Sequence, residues 1–221
     1  MTFQRARSEE QREVRRRAIL DTAAAMLDEM PVADVSLNEL SRRVGLAKSN
    51  VLRYFESREA VLLELLDDFL ERWLTELADE LVAGVVADAA PDERARQLAE
   101  VLSRSLAGRT VLCDLFGAQG GVLEHNVSVG VVTRHKRTSL ALLEHMARLV
   151  RQHVPELGDG ARLFCLTALV TAGALSSYTP PPPSVLAAYA QEPALAALHL
   201  DLQDALRTAF TTALLGVLPR P

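Results

Sequence analysis

The sequence predicts an all-α protein, with a small three-helix unit at the N-terminal end and a larger helical body behind it. Three observations carry this reading. Apolar residues recur at helical spacing in long runs along the chain. No stretch alternates apolar and polar residues as a half-buried strand does. No unit of roughly 20–50 residues repeats. With 221 residues, 49% of them hydrophobic, the chain has enough apolar surface to build its cores without disulfide or metal staples.

Over residues 9–30, Val14, Ala18, Ile19, Thr22, Ala23, Met26 and Met30 share one helical face, while Arg, Glu and Asp fall mostly opposite. Pro31 stops this first helix, because proline lacks a backbone donor and disfavours helix in the residue before it. After a linker over 32–35, Ser36 stands three residues before Glu39, the spacing of a capping box. Gly45 closes that second helix with a residue free to turn the backbone left-handed, and a third helix opens near Ala47. Leu40, Val44, Leu46, Val51 and Phe55 are spaced to pack the two short helices across the turn, which makes a helix-turn-helix.

A fourth helix starts near Ser57 and carries Val61, Leu62, Leu65, Leu66, Phe69, Trp73, Leu77 and Leu81 on one side. Gly84 and residues 88–91 break it. Helices are expected over 92–106, 110–116, 126–154 and 161–178, the third of these closed by Pro155. Residues 180–183 are four prolines, read as a stiff extended connector since each ring fixes φ and removes a donor. A segment over 185–189 and a final helix over 198–218 complete the chain.

Composition excludes several classes. Cys113 and Cys165 lie far apart, each inside an apolar helical pattern, so they read as buried thiols and not as a disulfide framework or zinc cluster. The first 17 residues are charged and lack the apolar segment of a secretory signal. The apolar stretch 163–178 falls short of the ~20 residues that cross a bilayer and carries Thr167, Thr171, Gly173, Ser176 and Ser177. A cytoplasmic protein without membrane contact is expected. His125, His135, His145, His153 and His199 form no HExxH or repeated metal spacing, Gly117–Gly121 lack a following Lys-Ser/Thr, and no Gly-x-Ser-x-Gly elbow occurs. No enzyme, metal or cofactor is therefore expected.

Net charge is −5, but its distribution says more than its sum. Residues 1–60 hold 11 Lys and Arg against 10 Asp and Glu, while residues 61–221 hold 13 against 19. The N-terminal arm is locally basic through Arg5, Arg7, Arg12, Arg15, Arg16 and Arg17, and a groove-reading motif follows it. A DNA-reading helix must enter the ~12 Å major groove and carry short polar side chains at its start. Lys48, Ser49 and Asn50 meet that need. Asn pairs with N6 and N7 of adenine, Lys reaches guanine or a phosphate, and Ser donates to either. Arg53, one turn beyond Asn50, suits guanine or phosphate alike.

The run from Ser36 to Leu62, with the helix 19–30 before it, resembles the TetR/AcrR family of bacterial regulators across residues 15–65. The shared features are a helix, a capped helix, a glycine turn, the Tyr54-Phe55 pair and a basic residue opening the fourth helix. The resemblance implies a three-helix DNA-binding domain over 1–57 and a ligand-binding and dimerisation domain over 58–221. It implies phosphate contacts from Tyr54 and Arg58, a dual role as cap and phosphate donor for Ser36, and a base contact for Asn38. Tyr54 as core packing and Asn38 as a surface polar residue are the plainer alternatives. Two positions depart from the family pattern: Leu52 stands where Tyr is common and Arg53 where His or an aromatic is frequent. Leu52 is suited to a thymine methyl, so the resemblance alone does not carry a known operator over to this chain.

The resemblance further implies a homodimeric, nucleoid-associated repressor of a palindromic double-stranded operator, released by a small-molecule effector. Helices 161–178 and 198–218, the most apolar, are expected to pair with their copies in a four-helix interface, with intrachain core as the alternative. The expected pocket draws on Phe69, Trp73, Leu115 and Phe116 for apolar walls. Gln119, His125, Asn126, His135 and Tyr178 are its expected polar members. A helix-turn-helix adaptor binding a protein instead of DNA is the other class these residues allow.

Overall fold

The computed structural model describes residues 2–219, with side chains described from Glu9 onward. The side chains of Arg5 and Arg7, part of the basic arm, lie outside the described residues. Among the described residues every regular element is helical. Helix α1 (Thr2–Leu27) and a short 3-10 turn (Val32–Asp34) lead into α2 (Leu37–Arg43) and α3 (Lys48–Val51). Behind them come α4 (Arg58–Gly84), α5 (Pro91–Ala107), α6 (Thr110–Ala118), a π turn (Gln119–Leu123) and α7 (Val129–His153). Then α8 (Gly160–Ser176), α9 (Pro183–Gln191) and α10 (Leu202–Val217) close the chain, with 3-10 turns at Pro155–Leu157 and Pro193–Leu198.

Local chemistry explains the reading unit. Ser36 Oγ accepts the Glu39 N–H at 3.2 Å, the forward half of the expected capping box. The return half is absent, because the Glu39 carboxylate is taken by Arg42 at 2.5 Å and Arg43 at 2.8 Å. The Gly45 N–H bonds to Arg42 O and the Leu46 N–H to Ser41 O, with Gly45 at φ 72, which is a Schellman turn. Regular α-helix in α3 stops after four residues. The chain then tightens, Tyr54 N–H bonding to Val51 O at 2.9 Å.

The body is organised around α4, which runs unbroken from the reading unit into the centre and buries Leu62, Leu65, Leu66, Trp73, Leu77 and Leu81. Trp73 Nε1 donates to Ser105 Oγ of α5 at 2.9 Å, satisfying the one polar atom of a large buried ring. Helices α5 and α10 pack along each other, as do α6 and α8. The α6 and α8 crossing is backbone on backbone: a Cβ on Gly173 would lie 2.5 Å from Gly117 N. Phe164 of α8 meets Phe210 of α10 edge-on at 6.0 Å between ring centres. Both cysteines are buried, and burial pushes the Cys113 and Cys165 thiols up to about 12.

Two expectations are corrected here. Val14 is 65% exposed, because α1 extends beyond the core that Ile19, Ala23 and Met26 enter. The proline connector is shorter than four residues, since Pro183 is the first residue of α9, where a missing N–H costs nothing. Helix α10 buries Leu202, Leu206, Phe210 and Leu214 within the chain, as α8 buries Phe164, Cys165 and Ala168, so each of these apolar helices gives one face to the core.

Candidate nucleic-acid interface and ligand cavity

The start of α3 presents Lys48, Ser49 and Asn50 to solvent, followed by exposed Leu52 and Arg53. Val51 and Phe55 alternate inward and join Leu40 and Ile19 in the core, which fixes the rotation of this short helix. Ser36 and Asn38 are exposed at the start of α2, and Tyr54 is half-buried.

The ion pairs divide the cations into two groups. Arg42 and Arg43 are neutralised by Glu39, and Arg43 also by Glu29 at 2.7 Å. The hydrogen bond from Arg42, then that from Arg43, lowers the Glu39 carboxyl to about 2. Arg16 pairs with Glu64 and lies 4.7 Å from the centre of the Phe55 ring. Arg17 reaches Asp68 at 3.2 Å, so both arginines fasten α1 to α4. Among the described residues, no carboxylate lies within ion-pair distance of Arg12, Arg15, Lys48 or Arg53. Arg12, Arg15, Arg53 and Tyr54 line one surface depression, a cationic hollow suited to a phosphate. Sequence spacing shows Arg12 and Arg15 on one turn of α1, but only the fold brings them beside Arg53.

Arg58 stands differently from its sequence reading. Its Nη1 donates to Val35 O at 2.5 Å and Ala33 O at 3.2 Å, and its Nε to Glu59 at 3.0 Å. The guanidinium thus ties the loop before α2 to the start of α4, leaving Nη2 for any outside partner.

In the body, α4, α6, the π turn, α7 and α8 enclose a cavity of about 620 Å³. Of the nine expected pocket residues, it is lined by Phe116 and Gln119. Trp73 and Leu115 are buried in the core and are not among its walls. Phe69 packs beneath Arg72, His125 and Asn126 are exposed in the connection to α7, and Tyr178 is 68% exposed past the end of α8. His135 is buried just behind the wall, bonded to Asp67 and Gln119. Apolar periodicity identifies core and cavity residues alike, so it missed Leu66, Leu70, Leu143 and Leu169 as walls. The cavity reaches the surface beside Leu140, Leu166 and Val170, all largely exposed.

Two helices of the cavity wall also hydrogen-bond the reading unit: the Ser128 N–H at the start of α7 donates to the Glu56 carboxylate, and α6 makes the second contact. Helix α6 lines the cavity with Phe116 and Gly117, and Asp114 on the same helix accepts the Val32 N–H at 2.9 Å, just ahead of α2.

A helix-turn-helix with an unpaired cationic surface, mounted on a larger helical body with its own cavity, defines a DNA-binding transcriptional regulator. Comparison with known proteins narrows this. Residues 67–221 match the family model described as tetracyclin repressor-like, C-terminal domain, and residues 19–65 match that of bacterial regulatory proteins, tetR family. The chain belongs to the TetR family of bacterial transcriptional regulators. The HTH-type transcriptional regulator EthR of Mycobacterium tuberculosis (strain CDC 1551 / Oshkosh) is 46% identical over 50 residues, 23% of this chain and 23% of that protein. The HTH-type transcriptional regulator BetI of Rhizobium meliloti is 30% identical over 92 residues, 42% of this chain and 43% of BetI. Both matches therefore span less than half of the relative's length. A TetR transcriptional regulator from Rhodococcus sp. RHA1 superimposes with a TM-score of 0.56 at 14% identity, covering 95% of this chain and 97% of that one. A possible TetR family regulator from Streptomyces coelicolor A3(2) gives 0.56 at 17% identity, covering 91% and 97%. At these identities the likeness is one of fold. Among the described residues no helix is long and apolar enough to cross a membrane.

Proposed function

We propose that this protein is a homodimeric repressor that reads a palindromic operator with the unit 1–57 and releases it when a small molecule fills the cavity of the body 58–221. The observation that carries the reading is the charge division of the N-terminal unit. Arg16, Arg17, Arg42 and Arg43 are engaged by carboxylates, whereas Lys48, Arg53, Arg12 and Arg15 are left for an anionic partner. Lys48, Ser49 and Asn50 are the base readers, with Leu52 against a thymine methyl and Asn38 at a flanking base. Ser36, Arg53, Tyr54 and the remaining arm of Arg58 hold phosphates. Dimerisation is supported by an apolar stripe on the outside of α8, where Leu163 is 62%, Leu166 48% and Val170 63% exposed. Release is supported by α6, which forms cavity wall and bonds the reading unit through Asp114.

The test is fluorescence anisotropy with the DNA upstream of the protein's own gene and with random duplex, across a salt titration. Tight, sequence-selective binding that falls steeply with salt is expected. Binding to neither DNA at low salt rejects the reading in favour of an adaptor that docks on protein.

A further inference from the structure

We infer that the cavity takes a small molecule with an apolar body and a cationic amine end, held by Asp67. The inference rests on the reading of this cavity as the ligand site and adds the ligand's class. Its walls are apolar along most of their length, with Leu66, Leu70, Phe116, Leu143 and Leu169 facing in. Such walls favour a hydrocarbon or aromatic body. Polar atoms gather at one end, where the π turn and α7 meet α4, and the hydrogen bonds there decide which head group fits.

His135 Nδ1 lies 2.8 Å from Asp67 Oδ1, and a carboxylate at that distance assigns the ring proton to Nδ1. Nε2 is then the acceptor, and it faces Gln119 Nε2 at 3.1 Å and Ser139 Oγ at 3.4 Å. The second amide hydrogen of Gln119 goes to Glu124 Oε1 at 2.8 Å. That contact also fixes the amide's orientation, because a flipped Gln119 would put its oxygen against the carboxylate. Lys136 Nζ donates to the same Glu124 oxygen at 2.6 Å and neutralises it. The amide and imidazole donors of this end are thus engaged within the protein.

Three acceptors of this end remain without a partner among the described residues: Asp67 Oδ2, Glu124 Oε2 and Gln119 Oε1. None is sealed from accessible space. With Glu124 matched by Lys136, Asp67 is the carboxylate of this end that has no Lys or Arg partner among the described residues; its one partner is the His135 imidazole. It is only 15% exposed, and burial pushes its carboxyl up from the ordinary value. A ligand cation beside it makes a charge-assisted hydrogen bond in a place from which water is largely excluded. A ligand carboxylate would instead meet three free acceptors and the charge of Asp67, with only Lys136 Nζ, already shared with Glu124, and Ser139 Oγ able to donate to it. Head-group sign, more than body shape, is therefore the selective feature of the cavity.

Isothermal titration calorimetry of the full chain with phenylbutylamine, phenylbutanol and phenylbutyrate tests this, because the three probes share a body and differ in the head. The amine is expected to bind about tenfold or more tighter than the alcohol, and the carboxylate weakest. Asp67→Asn keeps an acceptor for His135 Nδ1 while removing the charge, and it is expected to level amine and alcohol. Circular dichroism and thermal melting of the variant establish that it folds; a variant that does not fold is replaced by measuring the probes' order in the native protein, which the proposal already fixes. Equal affinities, no binding of any probe, or a preference for phenylbutyrate overturns the inference. An amine preference kept in Asp67→Asn overturns the role of Asp67. DNA is absent from this titration, so failure of operator release leaves its result untouched, and the anisotropy experiment reports that failure separately.

Discussion

Asn50 on α3 and Arg53 in the turn just after it are both exposed, yet their chemistry assigns them different consequences. An amide that pairs two atoms of one base discriminates between sequences, whereas a guanidinium in the hollow with Arg12, Arg15 and Tyr54 sees the phosphate that every sequence shares. Asn50→Ala is therefore expected to cost about 1–3 kcal/mol on the operator and little on random DNA, measured by anisotropy on both duplexes. Arg53→Ala should weaken both alike and lower the salt slope by about one ion. Equal losses on both duplexes for Asn50→Ala would remove it from the base readers. Arg58 belongs to a third kind, because its guanidinium bonds Val35 O and Ala33 O inside the protein. Arg58→Ala is expected to lower stability by about 1.5–3 kcal/mol in urea denaturation, the range for hydrogen bonds to a charged group. A variant as stable as the native protein, but weak on DNA, would return Arg58 to a purely phosphate-binding role.

The elements differ in how far the sequence foretold them, and each difference has a physical source. Helix α2 was legible because its start and stop are local: Ser36 caps it and Gly45 ends it within bonds only a few residues long. The Glu39 half of the cap was not legible, since Arg42 and Arg43 compete for the same carboxylate and spacing alone does not rank them. Helix α3 is shorter than its apolar spacing suggests, as Ala47 offers no side-chain cap and the chain narrows to 3-10 bonds after Val51. The proposed reading residues were legible in the sequence because they lie on one continuous motif. The cavity was not, because its walls come from four helices and a π turn, and its defining feature is the close crossing at Gly117 and Gly173. Gly45 gives a clean test of the local part. Nothing lies within 4 Å of a Cβ placed there, so only its φ of 72 opposes a side chain. Gly45→Ala should destabilise the protein by about 1–2 kcal/mol in equilibrium urea unfolding, from left-handed backbone strain alone. A neutral result would mean that the turn relaxes into another conformation.

At the scale of the whole molecule, the proposed operator reading requires that two reading units be held at a fixed separation, and the proposed release that the cavity be able to change it. The outer stripe of α8 is where a second copy would seat, and Leu163 is its member that does not also line the cavity. Leu163→Asp is expected to shift sedimentation toward the monomer and to weaken operator binding, with little change in the affinity for a cavity ligand. In the proposed release, communication within one copy has three routes: α4, which Arg16 and Arg17 clamp to α1, α6, which Asp114 fastens to Val32, and α7, whose Ser128 N–H bonds Glu56. The α4 path is stiff, because a buried row of leucines and Trp73 holds the helix through the centre of the body. The α6 path is the adjustable one. It meets α8 at two glycines, its far end runs into the π turn, and Phe116 and Gly117 face whatever fills the cavity. A ligand that displaces α6 pulls directly on the loop that precedes α2. Asp114→Ala removes that pull without touching the cavity lining or the DNA-facing residues. Ligand affinity should stay as in the native protein, while the loss of operator affinity on adding ligand should shrink by about 0.5–2 kcal/mol, a factor of roughly 2–30. Operator titrations with and without saturating ligand, on native protein and variant, give this coupling directly. An unchanged coupling would place the transmission in α4 and α7.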